Sequence, residues 1–107
     1  MMSELTDLEI CKSIAEIEHG RAYIDGDDTG NFINLNHPMS DRGGESYNPL
    51  TDDALCFQLM VKHKADFIPY YRDEYRAQIK SIYMVSKSPN RAICLAIIES
   101  KALLHQG

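Results

Sequence analysis

Six residues at 25–30, Asp-Gly-Asp-Asp-Thr-Gly, carry the side chains in this chain best suited to hold a cation. Oxygen atoms at the first, third and fifth positions and a glycine at the sixth match part of a calcium loop. Asn36 stands at the twelfth position, where a bidentate glutamate is needed, and the segment that follows reads as extended rather than helical. We therefore interpret 25–30 as an acidic hairpin turn and expect neither a metal ion nor another cofactor.

A second cluster interleaves tyrosines with basic side chains between residues 70 and 87. Such a mixture lets nucleic-acid bases stack on aromatic rings while cations meet phosphates. Alternation over 75–86, however, would place Tyr83 with the core side chains and Arg76 on the opposite, solvated side. A nucleic-acid site is therefore the second hypothesis, and its residues would be Tyr70, Tyr71, Arg72, Arg76 and Lys80.

The chain contains no recognisable catalytic motif: it has no GxSxG, no phosphate-binding P-loop and no dinucleotide fingerprint. The four histidines are widely separated, and no CxxC pair is present. The cysteines are odd in number, and each falls within a predicted helix among apolar neighbours (Cys11, Cys56 and Cys94). We expect no catalytic residues, and we interpret the cysteines as reduced core thiols of a cytoplasmic protein.

Length and charge limit the possible domain organisation and binding partners of the protein. A chain of 107 residues has room for one domain, which we assign to residues 1–107. The net charge of −5 is unevenly spread, because residues 1–60 carry twelve acids and three bases whereas residues 61–107 carry four acids and eight bases. Neither a signal peptide nor a membrane-spanning stretch is evident, so we expect no membrane association.

Three segments predict helices. Thr6 and Glu9 form a capping box that begins the first, and Gly20 ends it. A central helix should begin at Thr51 and end at Lys62-His63-Lys64; its apolar residues cover most of its circumference, so we expect other elements to cover it on several sides. The third should begin with Ser88 as N-cap and Pro89 as its first residue, and should be buried along 92–98.

The remaining segments predict strands. Residues 22–24 and 32–35 predict a hairpin, and 36–46 an irregular surface connection. Residues 66–71 predict an edge strand, because Pro69 cannot donate to a ladder. One long strand is expected over 75–86, with a helix over 73–84 as the weaker alternative. The predicted fold class is α+β, a single domain of three helices packed around a small, mainly antiparallel sheet, in the order α-β-β-α-β-β-α.

The segments TDLEICKSIAEIE at 6–18, YNPLTDDALCFQLMVKH at 47–63 and NRAICLAIIESK at 90–101 resemble the NinX-like group of small tailed-phage and prophage proteins. The resemblance covers the three predicted helices and omits residues 25–46. It implies a phage or prophage origin and expression in a bacterial host, and it carries no catalytic or binding residues across.

We therefore predict a non-enzymatic interaction module that binds a host or phage protein. The sequence does not indicate the oligomeric state of the module. The contact surface should be the connection 25–46, since it is long, acidic and not explained by packing. Its candidate residues are Asp25, Asp27, Asp28, Asn34, Asn36, Asp41 and Arg42.

Overall fold

A computed structural model describes residues 5–27, 30–37, 39, 41 and 44–106, with the side chains of Asp27 and residues 103–106 left out. In chain order the elements are α1 (Asp7–His19), β1 (Tyr23–Asp27), β2 (Gly30–Asn34), α2 (Asp53–Lys62), β3 (Asp66–Pro69), β4 (Tyr75–Ile79), β5 (Ile82–Ser86) and α3 (Pro89–Gln106). They form two compact units, Leu5–Asn48 and Pro49–Gly107. The mixed α+β class and the three helices are confirmed.

In the unit Leu5–Asn48, α1 has the boundaries that its sequence predicts. The Thr6 hydroxyl accepts from the Glu9 backbone N–H at 3.1 Å, and the Thr6 N–H donates to the Glu9 carboxylate at 2.9 Å. Gly20 ends the helix in the left-handed conformation, with φ 71°, which glycine adopts without a steric penalty. The helix lies against β2, and its buried residues are Ile10, Cys11, Ile14 and Ala15.

The predicted hairpin is confirmed in the same unit. Strands β1 and β2 pair antiparallel from Tyr23 opposite Asn34 to Asp27 opposite Gly30. The chain then returns, because Ser46 forms an antiparallel bridge with Asn34 and the Tyr47 N–H donates to the Ile33 carbonyl at 2.9 Å. The connection 36–46 is thus closed by backbone hydrogen bonds where it rejoins β2.

In the unit Pro49–Gly107, a three-stranded antiparallel sheet has the order β3-β4-β5. Helix α3 packs on β4 and β5, where Ala77 and Ile79 are buried, and α2 packs against α3. The start of α3 is tied to the segment before α2, since the Asn90 amide donates to the Leu50 carbonyl at 3.0 Å and to the Asp53 carboxylate at 2.8 Å. The predicted strand at 66–71 lies at a sheet edge and ends at Pro69.

Two expectations for the apolar helices have different outcomes. Residues 92–98 of α3 are all buried, as predicted, and the Ser88 hydroxyl accepts from the Arg91 N–H at 3.2 Å as its cap. The prediction that α2 is covered on several sides is wrong, because Phe57 is 61% and Val61 60% exposed. The predicted N-cap of α2 is also wrong by one residue: the carboxylate of Asp52, not the hydroxyl of Thr51, accepts from the third helical N–H at 3.1 Å.

The single long strand predicted over 75–86 is also wrong. It is two strands joined by Lys80-Ser81, with Ile79 opposite Ile82. Lys80 has φ 54°, as the first central residue of a primed two-residue hairpin turn requires. The one sheet expected is likewise two sheets, of two and three strands.

The three cysteines are buried free thiols, as predicted. Cys11 donates to the Asn48 side-chain oxygen at 3.3 Å. A hydrogen bond with Cys94 lowers the pKa of Cys56 below its usual value, while burial acts in the opposite direction. In the portion of the chain that the structure describes, no helix is both long enough and apolar enough to cross a bilayer.

Candidate interaction surface

The turn at Lys80-Ser81 decides which side chains of the three-stranded sheet face outward. Facing residues of antiparallel strands project to the same side, and Arg76 faces Val85 while Gln78 faces Tyr83. Tyr83 therefore lies on the face opposite the buried Ala77 and is 55% exposed. The prediction that Tyr83 belongs to the core is wrong, because it continued one alternation through the turn.

Arg76 lies between two tyrosines on this outer face. Its guanidinium carbon is 5.3 Å from the Tyr83 ring centroid and 5.8 Å from that of Tyr70, within the range of a cation–π interaction. Ile68, which faces Arg76 from β3, is 45% exposed. We call Ile68, Tyr70, Arg76 and Tyr83 the tyrosine–arginine face.

The polar capacity of Arg76 is not used within the described residues. Its Nε is buried and has no hydrogen-bond partner there. Arginine carries five N–H donors and no acceptor, so stacking on the two rings orients the guanidinium without satisfying it. A carboxylate from outside would find the guanidinium already oriented.

A shallow hollow of about 280 Å³ adjoins Arg76 at the edge strand β3. Ile68 gives it an apolar wall, whereas Asp66, Arg76 and Gln78 give it polar ones, and Phe67 of the same strand also borders it. Beneath the outer face, Phe67 stacks on Tyr75 with ring centroids 5.5 Å apart. An apolar side chain of a partner would therefore fit in the hollow, beside the guanidinium of Arg76.

Two residues predicted to bind a partner instead hold the connection 25–46 together. Asn34 is only 2% exposed; its side-chain oxygen accepts from the backbone N–H groups of Asn36 and Glu45, each at 2.9 Å. Its amide nitrogen donates to the Asp25 carboxylate at 3.2 Å, which also accepts from the Gly26 N–H at 2.8 Å. These groups make hydrogen bonds within the chain.

The structure describes the other predicted loop residues only in part. Asn36 is half-buried and Asp41 is exposed. Asp28 and Arg42 lie outside the described residues, and Asp27 is described only by its backbone in β1. Within the described ranges, no three histidine, cysteine or acidic side chains come together in a way that would hold a metal ion.

The residues of the nucleic-acid hypothesis are partly brought together. Tyr70 and Arg76 share the tyrosine–arginine face, and Arg72 lies over the Tyr71 ring at 5.6 Å on the β3–β4 turn. Lys80 lies at the opposite end of β4, on the β4–β5 turn. Cations and tyrosines thus occur on the same side of the sheet, contrary to the expectation that they face opposite ways.

Sequence reasoning missed Ile68 and Tyr83 as surface residues. The missing signal is a change of phase: apolar residues occupy positions 77 and 79 before Lys80-Ser81 and positions 82 and 84 after it. A single strand would have kept one parity throughout.

A search of protein-family models finds no match to this chain, and a search of curated proteins finds none either.

Proposed function

We propose that this protein is a non-enzymatic interaction module that binds a protein of the bacterial host or of a phage through the tyrosine–arginine face. The observation that carries the proposal is Arg76, stacked between two exposed tyrosines and lacking a polar partner among the described residues. Tyrosine and arginine are among the residues on which the binding energy of interfaces concentrates. The resemblance to NinX-like proteins is what points to a host or phage protein.

The face also defines the chemistry of the partner. Because Nε is buried, a carboxylate would supply acceptors for the terminal nitrogens of the Arg76 guanidinium, and such charge-assisted hydrogen bonds are stronger than neutral ones. An apolar side chain would cover Ile68 and the tyrosine ring edges. Because stacking already restricts Arg76, less side-chain entropy is lost on binding.

The connection 25–46, the surface favoured by sequence, is a weaker site. A partner that recruited the side chains of Asn34 or Asp25 would have to break hydrogen bonds that close the loop. Leaving such polar groups unpaired costs about 1–3 kcal/mol each, which would be subtracted from the binding energy.

Nucleic-acid binding is the second candidate, because tyrosines and Arg76 share one open sheet face and stacking platforms of this kind bind single strands. Charge acts in both directions. Residues 61–107, which contain the face, carry eight bases and four acids, and such an excess favours phosphate binding, whereas the whole chain has a net charge of −5. The exposed carboxylate of Asp66 also borders the hollow beside Arg76.

Site-specific photocross-linking tests the proposal. A photoreactive amino acid replaces Tyr83 in one variant and Phe57 in a matched control, since both rings are more than half exposed in the same unit. In lysogenic or infected cells we expect the Tyr83 variant to cross-link to one defined protein and the Phe57 variant not to. Adding Arg76→Ala should abolish the cross-link.

Three results would contradict it. Equal cross-linking from both positions would indicate nonspecific contact. If a defined partner is lost when 25–46 is replaced but retained with Arg76→Ala, then residues 25–46 form the binding site. Salt-sensitive retention on single-stranded DNA that Arg76→Ala abolishes, without any protein cross-link, would favour the second candidate.

A further inference from the structure

The unit Pro49–Gly107 contains a second feature, distinct from the tyrosine–arginine face. A cavity of about 410 Å³ lies between the end of α2, the β4–β5 turn and α3. Four lysines from these elements and from the turn after α2 reach its lining: Lys62, Lys64, Lys80 and Lys101. We call this feature the lysine cavity.

The charge of the lysine cavity runs against the composition of the chain. The protein has 16 acidic and 11 basic residues, yet no acidic side chain is among the described residues that line the cavity. Like charges gathered around one concave site raise its potential and its local concentration of counter-ions. The lining therefore selects for an anion.

Backbone conformation at two of the lysines supports a role for their side chains. Lys64 has φ 56° and Lys80 has φ 54°, the left-handed region in which glycine and asparagine are tolerated better than other residues. Lysine at these two positions is unfavourable for the backbone. Despite this cost, lysine at each position supplies an ammonium group to the cavity.

The other residues that line the cavity indicate which organic group the anion carries. Ile79 and Ile82 make one wall apolar, and His63 adds a ring beside the lysines. The volume falls within the range of sites that bind small organic ligands. Inorganic phosphate alone would fill little of this space.

We propose that the lysine cavity binds a nucleoside monophosphate, in which a ribose joins a phosphomonoester to a planar base. The lysines would bind the phosphate, which carries nearly two negative charges at neutral pH. The base would lie against Ile82. Two sources share this group: a free nucleotide and the 5′-phosphorylated end of a nucleic acid.

The experiment is a calorimetric and NMR titration of the full chain with adenosine 5′-monophosphate, adenosine, inorganic phosphate and a short oligonucleotide with and without a 5′-phosphate. We expect adenosine 5′-monophosphate to bind at least tenfold more tightly than adenosine or phosphate, and to shift the backbone resonances of Lys64, Lys80 and Lys101. A 5′-phosphorylated oligonucleotide that binds more tightly than the mononucleotide would identify the nucleic-acid end as the source.

Variants connect the affinity to the lysines. Lys64→Asn and Lys80→Asn should each weaken binding about tenfold, as expected for the loss of one charged hydrogen bond. Asparagine tolerates the left-handed backbone, so both variants should melt at or above the wild-type temperature. Lys87→Ser, an exposed lysine that does not line the cavity, should bind as the wild type does.

The proposal is overturned if adenosine 5′-monophosphate fails to bind the folded protein at millimolar concentration. It is also overturned if adenosine or inorganic phosphate binds as tightly as the nucleotide, or if both asparagine variants keep the wild-type affinity. Because the melting temperature is measured on the same samples, unfolding of a variant cannot be mistaken for loss of the site.

Discussion

The connection 25–46 and the tyrosine–arginine face are both polar surface regions in sequence, but they use their polar groups differently. In the connection, the buried Asn34 side chain makes three hydrogen bonds within the chain. On the sheet, Arg76 is held by two rings, and its buried Nε has no hydrogen-bond partner in the described residues. A polar side chain is available to a partner only if the fold has not already used it.

Substitution of Asn34 should give the largest effect. Asn34→Ala leaves the N–H groups of Asn36 and Glu45 without their acceptor, so we expect the free energy of unfolding to fall by about 2–3 kcal/mol. Urea denaturation would measure it. Asn31→Ala, at an exposed position of the same strand, is the control and should change stability by less than about 0.5 kcal/mol; equal losses from both variants would refute the role assigned to Asn34.

Substitution of Arg76 should affect stability much less. Arg76→Met removes two cation–π contacts, worth about 0.5–1 kcal/mol each at exposed sites, but it also removes a buried nitrogen that lacks a partner. We expect unfolding in urea to change by less than about 1 kcal/mol, with Lys87→Met as the exposed control. A loss as large as that of Asn34→Ala would mean that Arg76 stabilises the fold rather than serving as a binding residue.

Acid should produce the smallest effect, through Glu9 at the start of α1. Hydrogen bonds from the backbone and hydroxyl of Thr6 lower the pKa of Glu9 below its ordinary value of 4.5. The ionised carboxylate therefore stabilises α1 above pH 4.5, and this contribution is lost as the pH falls through the lowered folded pKa.

NMR titration would show this effect locally. The backbone resonances of Thr6 and Glu9 should move together in acid, and Glu9→Gln should remove the transition. If the carboxyl of Glu9 titrates at or above 4.5, the capping box does not favour its ionised form.

Elements with local signals were predictable from sequence. The start of α1 depends on Thr6 and Glu9, three residues apart, and its end depends on Gly20. Ser88 and Pro89 begin α3 for the same kind of reason. Capping involves a side chain and backbone groups of a single turn, so no knowledge of distant residues is needed.

The tyrosine–arginine face was only partly predictable. Tyr70 and Arg76 were candidates from composition, whereas Tyr83 was assigned to the core because alternation was continued through Lys80-Ser81. The phase change between Ile79 and Ile82 could have indicated the turn. That Arg76 would meet both rings depended on the register of three strands, which sequence spacing alone does not give.

The chain by itself determined where α1 begins and ends and where α3 begins, because caps and prolines act within a few residues. Tertiary structure decided which apolar residues are covered: α3 is buried along 92–98, whereas α2, which is also rich in apolar residues, leaves Phe57 and Val61 in solvent. Burial depends on which elements pack on each face, and so does the exposure of Tyr83 beside Arg76. The physical reason is that apolar side chains gain free energy only where another surface excludes water from them.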